Sequence, residues 1–177
     1  IVLNADSEEI TKSYKAHTQG SEVVFYSSHN HPLSTFSVSD VLFKQDGTGQ
    51  EFGVTESGVP LSHFSMPLLG GYVPGIAVAA LIVGHKMGIT TIDVAKKLET
   101  VRQVPHRLET IRTNPSVLVI DDSYNGNPEG VKYAIETLGR FEGKRKVYVT
   151  PGLGEGGVRT MGLHRELGAR LASVADE

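Results

Sequence analysis

Residues 117–128 read VLVIDDSYNGNP, an apolar run that ends in two aspartates, a serine, a tyrosine and two asparagines before a proline. Adjacent carboxylates at a strand end can accept hydrogen bonds from ribose hydroxyls or help hold a hydrated Mg²⁺. An asparagine amide both donates and accepts. Asn127 is an N-cap type and Pro128 suits the first helical position, so the next helix would present free N–H groups and its positive dipole end at the same place. The same residue types also build an Asx-turn and cap a helix with no ligand present. Residue types alone leave both readings open.

Other segments carry weaker signals. PGLGEGG (151–157) sits between a strand-like run and a helix, the setting of a phosphate-binding loop. It has no lysine and contains Glu155, so Gly154 and Glu155 are read as part of a loop facing a peptide substrate or as a turn. HNHP (29–32) places His29 and His31 on one side of an extended segment. A metal site needs a third ligand, which no spacing among His17, His63 and His85 supplies, so surface-turn histidines are expected and no metal site is assigned. His164 is read as an exposed or capping residue.

The bulk properties narrow the classes. A chain of 177 residues holds one ordinary domain or two small ones. The net charge of −3 argues against broad electrostatic binding to nucleic acid or anionic membranes. The absence of cysteine excludes disulfides and thiolate chemistry. No apolar run approaches the roughly 20 residues of a membrane-spanning helix. The chain opens at Ile1 with IVLN, a strand already under way, and closes on RLASVADE just where another strand is expected; both ends read as cut from a longer polypeptide.

The elements that must position these residues follow from pattern. IVLN, EVVFYSS and much of 34–68 read as strands and turns, with a hairpin signal at Asp46-Gly47 and alternation at Phe64, Met66 and Leu68. Asp6 or Ser7 caps a first helix. PGIAVAALIVGHKMG, with Pro74 in the first turn and Gly88 at the C-cap, is apolar nearly all round and predicts a helix buried on several sides. Thr91 is expected to cap a helix over about 91–101. Residues 102–110 read as an extended connector, because Pro105 disfavours helix before it. Strand 117–121, helix 128–140, strand 146–150 and a helix over about 161–174 then give a parallel βαβα order.

VIDDSYNGNPEGVKYAIETL resembles the start of the C-terminal domain of the Mur ligases. Within that family it is most like the branch that adds D-alanyl-D-alanine to a UDP-muramoyl tripeptide, whose loop reads D-D-S-Y-N-A-N-P. Further resemblances follow in the right order: VLNADSEEI to the N-A-D strand end of the central ATPase domain, GGYVPGIAVAALIVGHKMGI to the G-x-H-N-x-x-N-A-x-A-A helix, VPHRLE to the linker P-G-R-L-E, and VYVTPGLGEGG to the next strand and its loop. Residues 20–65 carry the resemblance weakly.

The resemblance implies an α/β protein. Residues 1–104 would be the back portion of the central ATPase domain, a mixed sheet with helices, and residues 105–177 the front portion of a Rossmann-like C-terminal domain. It implies an ATP- and Mg²⁺-dependent amide ligase of peptidoglycan precursor synthesis, cytoplasmic, acting through an acyl phosphate. Its partners would be ATP, a UDP-linked muramoyl peptide and D-Ala-D-Ala, with no nucleic acid and no membrane insertion. Carried over position by position, Arg107 serves the ribose or phosphates, Asp121 and Asp122 contact the ribose, and Asn125 lies beside them. No catalytic residue is assigned. The family's P-loop and Mg²⁺ ligands lie upstream of the N-A-D strand, and no G-x-x-x-x-G-K-[ST] occurs in this sequence, so these residues alone are expected to be inactive. Two positions depart from the pattern. Tyr72 to Ile76 stand where the family has H-N-x-x-N for adenine, leaving Tyr72 to stack on a purine or to serve the core. His106 replaces the linker glycine and predicts a stiffer hinge. The alternatives are another ligase of the superfamily, of folylpolyglutamate or cyanophycin type, or an inactive nucleotide-binding scaffold.

Overall fold

The structure, a computed structural model, describes residues 1–114, 116–154 and 156–177. They form two compact units: Ile1–Leu42, Gly49–Pro67 and Tyr72–Val101 in the first, Phe43–Thr48, Leu68–Gly71 and Arg102–Glu177 in the second.

The first unit is built on a mixed sheet of β1 (Val2–Asn4), β2 (Val24–Ser27), β3 (Phe36–Phe43), β4 (Gln50–Glu56) and β5 (Val59–Met66), in that order. Helix α1 (Glu8–His17) carries the chain from β1 to its parallel neighbour β2, and the Ser7 hydroxyl accepts from the Ile10 N–H at its start. β2 and β3 are also parallel although only residues 28–35 join them. That is possible because the pairing covers just Tyr26↔Phe36 and Ser27↔Ser37, so the connection retraces little of the strand. β4 and β5 are antiparallel and meet at Ser57-Gly58, both with positive φ (51° and 80°), the type I′ geometry that suits strand twist. The Asp46-Gly47 turn is also present, with Gly47 at φ 75° and its N–H donating to the Lys44 carbonyl. Phe64 and Met66 face the core as alternation predicts, Phe64 stacking on Phe52 with centroids 5.7 Å apart. The alternation stops there: Pro67 follows the strand's last residue, and Leu69 rather than Leu68 is buried.

Helices α2 (Val73–Lys86) and α3 (Thr91–Leu98) complete this unit. α2 buries Val73, Ala77, Val78, Leu81 and Ile82. With Pro74, Gly75 and Gly84 also buried, the helix is covered on several sides as expected, but one stripe stays open, with Ile76 (59%), Val83 (47%) and the C-cap Met87 (74%) exposed. The cap of α3 also moves by one residue. Thr90, in extended conformation, accepts from the Asp93 N–H, while the Thr91 hydroxyl lies 3.0 Å from His85 Nε2.

The second unit departs from the expected parallel order. Residues 109–114, read as connector and unassigned sequence, form β6 (Glu109–Asn114), which pairs antiparallel with β7 (Val117–Asp121). Residues 146–150 are not a strand of that sheet. The reason is local: Asn114 pairs with Val117, so the nearest partner for β7 is the segment just before it. A short parallel contact does form further on. The Tyr148 N–H donates to the Glu177 carbonyl and the Glu177 N–H to that of Lys146, on either side of helix α5 (Thr160–Ala172). Helix α4 (Pro128–Gly139) packs Val131 and Ile135 with Leu153 of the intervening loop and Leu167 of α5, flanked by Tyr148, Leu163 and Leu171. Among the described residues no helix is long and apolar enough to cross a membrane.

Candidate functional site

The ladder of β6 and β7 fixes the site. Glu109 and Asp121 are directly opposed partners at its open end. Immediately before Glu109 the chain makes a tight turn in which His106 and Leu108 take positive φ, 60° and 47°. Such backbone is costly for residues with a Cβ, so something must hold it. Leu108 is anchored by burial of its side chain and by its N–H, which donates to Asp122 Oδ1 at 3.2 Å. The His106 N–H donates to Glu109 Oε2 (3.1 Å) and its carbonyl accepts from the Tyr124 N–H (3.2 Å).

Side chains complete the fastening. His106 Nδ1 lies 2.8 Å from Asp121 Oδ2. Arg107 donates through Nη1 to Asn125 Oδ1 at 2.9 Å, and its guanidinium sits 4.2 Å from the centre of the Tyr124 ring. Asp121 Oδ1 accepts from the Ser123 N–H two residues on, an Asx-turn. Asn127 caps α4 by accepting from the Gly130 N–H at 2.8 Å. The capping reading therefore accounts for Asn127 and one oxygen of Asp121, and leaves the rest of the cluster to be explained.

The electrostatics follow from these contacts. Hydrogen bonds from Ser123, and then from the His106 imidazole, hold Asp121 below the usual carboxylate range. The same bond to Asp121 raises His106 above its ordinary value. Asp122 goes the other way: burial pushes it up, partly offset by the Leu108 N–H and by Arg107. Burial, with the field of Asp122, also raises Tyr148. Two adjacent, half-buried carboxylates are thus made unlike, one held readily ionised by its hydrogen bonds, the other pushed up by burial.

Of the residues singled out from sequence, Arg107, Asp121, Asp122 and Asn125 are brought together in the second unit. Tyr72 lies in the first, at the N-cap position of α2 with no side-chain capping bond. It is half-buried rather than a core tyrosine. Gly154 lies exposed in the 151–157 loop with open space around it; Glu155 is outside the described residues. His164 is neither exposed nor a helix cap. Its Nε2 accepts from the Leu153 N–H (3.0 Å) and its Nδ1 is 2.8 Å from the Thr160 carbonyl, which assigns the Nδ1–H tautomer and pins the loop to α5. Gly152 makes this possible, since its φ is 91° and a Cβ there would come 2.5 Å from His164 Nε2. His29 and His31 sit in a turn around Asn30 (φ 58°), with His29 Nδ1 3.5 Å from Asp6. The sequence reading gave His106 only a hinge role, left Ser123 without one, and missed Glu109. A histidine where the linker glycine is expected was the available signal, because it keeps glycine's backbone conformation and adds an imidazole.

With donors and acceptors on half-buried Arg107 and exposed Ser123 and Asn125 beside an ionised Asp121, the cluster can hold a polyhydroxylated or anionic ligand. An imidazole nitrogen 2.8 Å from Asp121 Oδ2 fits the cluster poorly to Mg²⁺, which takes oxygen ligands.

Comparison with known proteins bears on the family. The family profile described as Mur ligase, glutamate ligase domain, matches residues 106–177. The UDP-N-acetylmuramoyl-tripeptide--D-alanyl-D-alanine ligase of Bacillus subtilis (strain 168) is 31% identical over 138 residues, 77% of this chain and 29% of that protein. The ligase of the same name from Buchnera aphidicola is 27% identical over 175 residues, 99% of this chain and 37% of that protein. The crystal structure of MurF ligase from Thermotoga maritima in complex with ADP shares the fold, with a TM-score of 0.78 at 24% identity, covering 98% of this chain and 38% of that one. The chain thus spans about a third of the length of the proteins it matches. Residues 106–177 thus match the glutamate ligase domain of the Mur ligases, and the chain is similar in sequence and fold to proteins of that family along nearly its whole length.

Proposed function

We propose that this chain is part of an ATP-dependent amide ligase that adds D-alanyl-D-alanine to a UDP-N-acetylmuramoyl tripeptide. Residues 1–104 would belong to its central ATPase domain and 105–177 to its C-terminal domain, in a cytoplasmic enzyme of peptidoglycan precursor synthesis. The observation that carries the reading is the cluster in which Arg107, Asp121, Asp122 and Asn125 meet at one strand end. Relatives that carry the D-alanyl-D-alanine ligase name support the choice of substrates.

In this reading Asp121 accepts a ribose hydroxyl, Asn125 orients the sugar, and Arg107 turns its remaining guanidinium donors to ribose or phosphate. Asp122, hydrogen-bonded to the Leu108 N–H, fixes the turn that carries Arg107. The chemistry is then phosphorylation of the peptide carboxylate, which makes a poor leaving group a good one, followed by attack of the dipeptide amine on the acyl carbon with loss of phosphate. Mg²⁺ would be held by other parts of such an enzyme.

The test is phosphate release from ATP by this chain joined to a P-loop-bearing ATPase portion. Release should require UDP-N-acetylmuramoyl tripeptide and D-alanyl-D-alanine together, and Arg107→Ala should raise the KM for ATP about tenfold, as expected for losing a charged hydrogen bond. Release no faster with the pair than without it contradicts the assignment.

A further inference from the structure

The β6–β7 register sets Glu109 directly against Asp121 at the end of the ladder. Like charges directly opposed across a strand pair repel, so this end of the sheet calls for a cation between them. Among the described residues, the group supplied there is the His106 imidazole. The nearby Arg107 is turned away to Asn125 and Tyr124. One ligand atom each from His106, Glu109 and Asp121 lie within 4.8 Å of one another.

We propose that His106, Glu109 and Asp121 form a binding site for a divalent transition ion of the zinc class. An imidazole nitrogen with two carboxylate oxygens is a donor set for zinc rather than magnesium, which takes oxygen ligands. Around a tetrahedral ion with bonds of about 2.0–2.2 Å the ligand atoms stand roughly 3.3–3.6 Å apart. The three donors must therefore close by about an ångström, within reach of the exposed His106 ring and the Glu109 side chain. The ion would replace the proton that His106 and Asp121 now share, and it would neutralise the opposed carboxylates. Water, or the Ser123 hydroxyl 3.4 Å from His106 Nδ1, would take the fourth position. Coordination would also withdraw Asp121 from other hydrogen bonding. That consequence for nucleotide binding rests on the function proposed above; the metal site itself does not.

The test is calorimetric titration of the metal-stripped protein with Zn²⁺, with Mg²⁺ as control. One equivalent should bind, unaffected by a large excess of Mg²⁺. His106→Gly suits the left-handed backbone and removes only the imidazole, so it should weaken binding at least about tenfold, the lower end of what metal sites lose when a supporting residue is removed. Glu109→Gln should weaken it likewise. Circular dichroism on both variants confirms that the fold is kept. Failure of the wild-type protein to bind Zn²⁺, or equal affinity in wild type and both variants, overturns the proposal.

Discussion

Two strand ends in this chain carry an aspartate, and they use it differently. After β1, Asp6 is spent on its own surroundings. Its carboxylate accepts from the Ser27 hydroxyl (2.5 Å) and the Ser28 N–H (2.6 Å), and Ser27 in turn accepts from the N–H groups of His29 and His31. Ser27 is fully buried, so its hydroxyl depends on this network, although the Asp6 side chain is as accessible (19%) as that of Asp121 (20%). After β7, Asp121 binds Ser123 and His106 at the surface, among side chains that still have donors to offer. One aspartate organises a loop; the other is available to a ligand. The difference lies in which partner is buried, which residue type alone does not reveal.

Substitutions should separate the two roles. Asp6→Ala leaves the buried Ser27 hydroxyl without an acceptor and should cost about 2–3 kcal/mol in urea unfolding, with no effect on nucleotide affinity beyond that loss of fold. Gly152→Ala tests a third, purely structural loop: strained φ and the close approach of His164 should cost about 1–2 kcal/mol and speed amide exchange over residues 150–154. Tyr124→Ala removes an exposed cation–π contact, worth about 0.5–1 kcal/mol, and frees Arg107 to move, so a fall in nucleotide affinity larger than the fall in stability is expected. Asp121→Asn should reverse the Asp6 result, leaving the unfolding midpoint nearly unchanged while weakening nucleotide binding.

The smallest effect is a pH dependence, measured in metal-free buffer as the stability difference between wild type and His106→Gly. His106 is raised on folding, so its contribution is fully present below its unfolded pKa of about 6.5 and is lost as pH rises through the higher folded value. Asp121 is lowered, so its contribution is present above about 3.9 and is lost as pH falls through the lower folded value. The pair should therefore stabilise most between about pH 4 and 6.5. A difference that stays flat from pH 5 to 9 would show that the imidazole–carboxylate bond does not form.

Much of this was legible in the sequence, for identifiable reasons. Ser7, Asn127 and Pro128 set helix starts through local hydrogen bonding, and they sit where their types predict. The convergence of Arg107, Asp121, Asp122 and Asn125 was legible only through family resemblance, since fourteen residues separate Arg107 from Asp121 and no periodicity links them. β6 was missed because Pro105 and the charged and polar residues of ETIRTN hide a strand that owes its existence to pairing with β7. The exposed stripe of α2 was missed because its composition is apolar all round, and composition does not say which face a neighbour covers. The structural role of His164 depends on a loop returning across α5, a contact set by tertiary packing.

The most direct measurement is titration of ADP into the isotopically labelled protein, followed by two-dimensional amide NMR. The account predicts shifts concentrated at Arg107, at Leu108 and across Asp121–Asn125, abolished in Asp121→Asn, with residues 4–6 and 27–31 unmoved. Shifts confined to the Asp6 network, or the same shifts at 107–125 in Asp121→Asn as in the wild type, would contradict it.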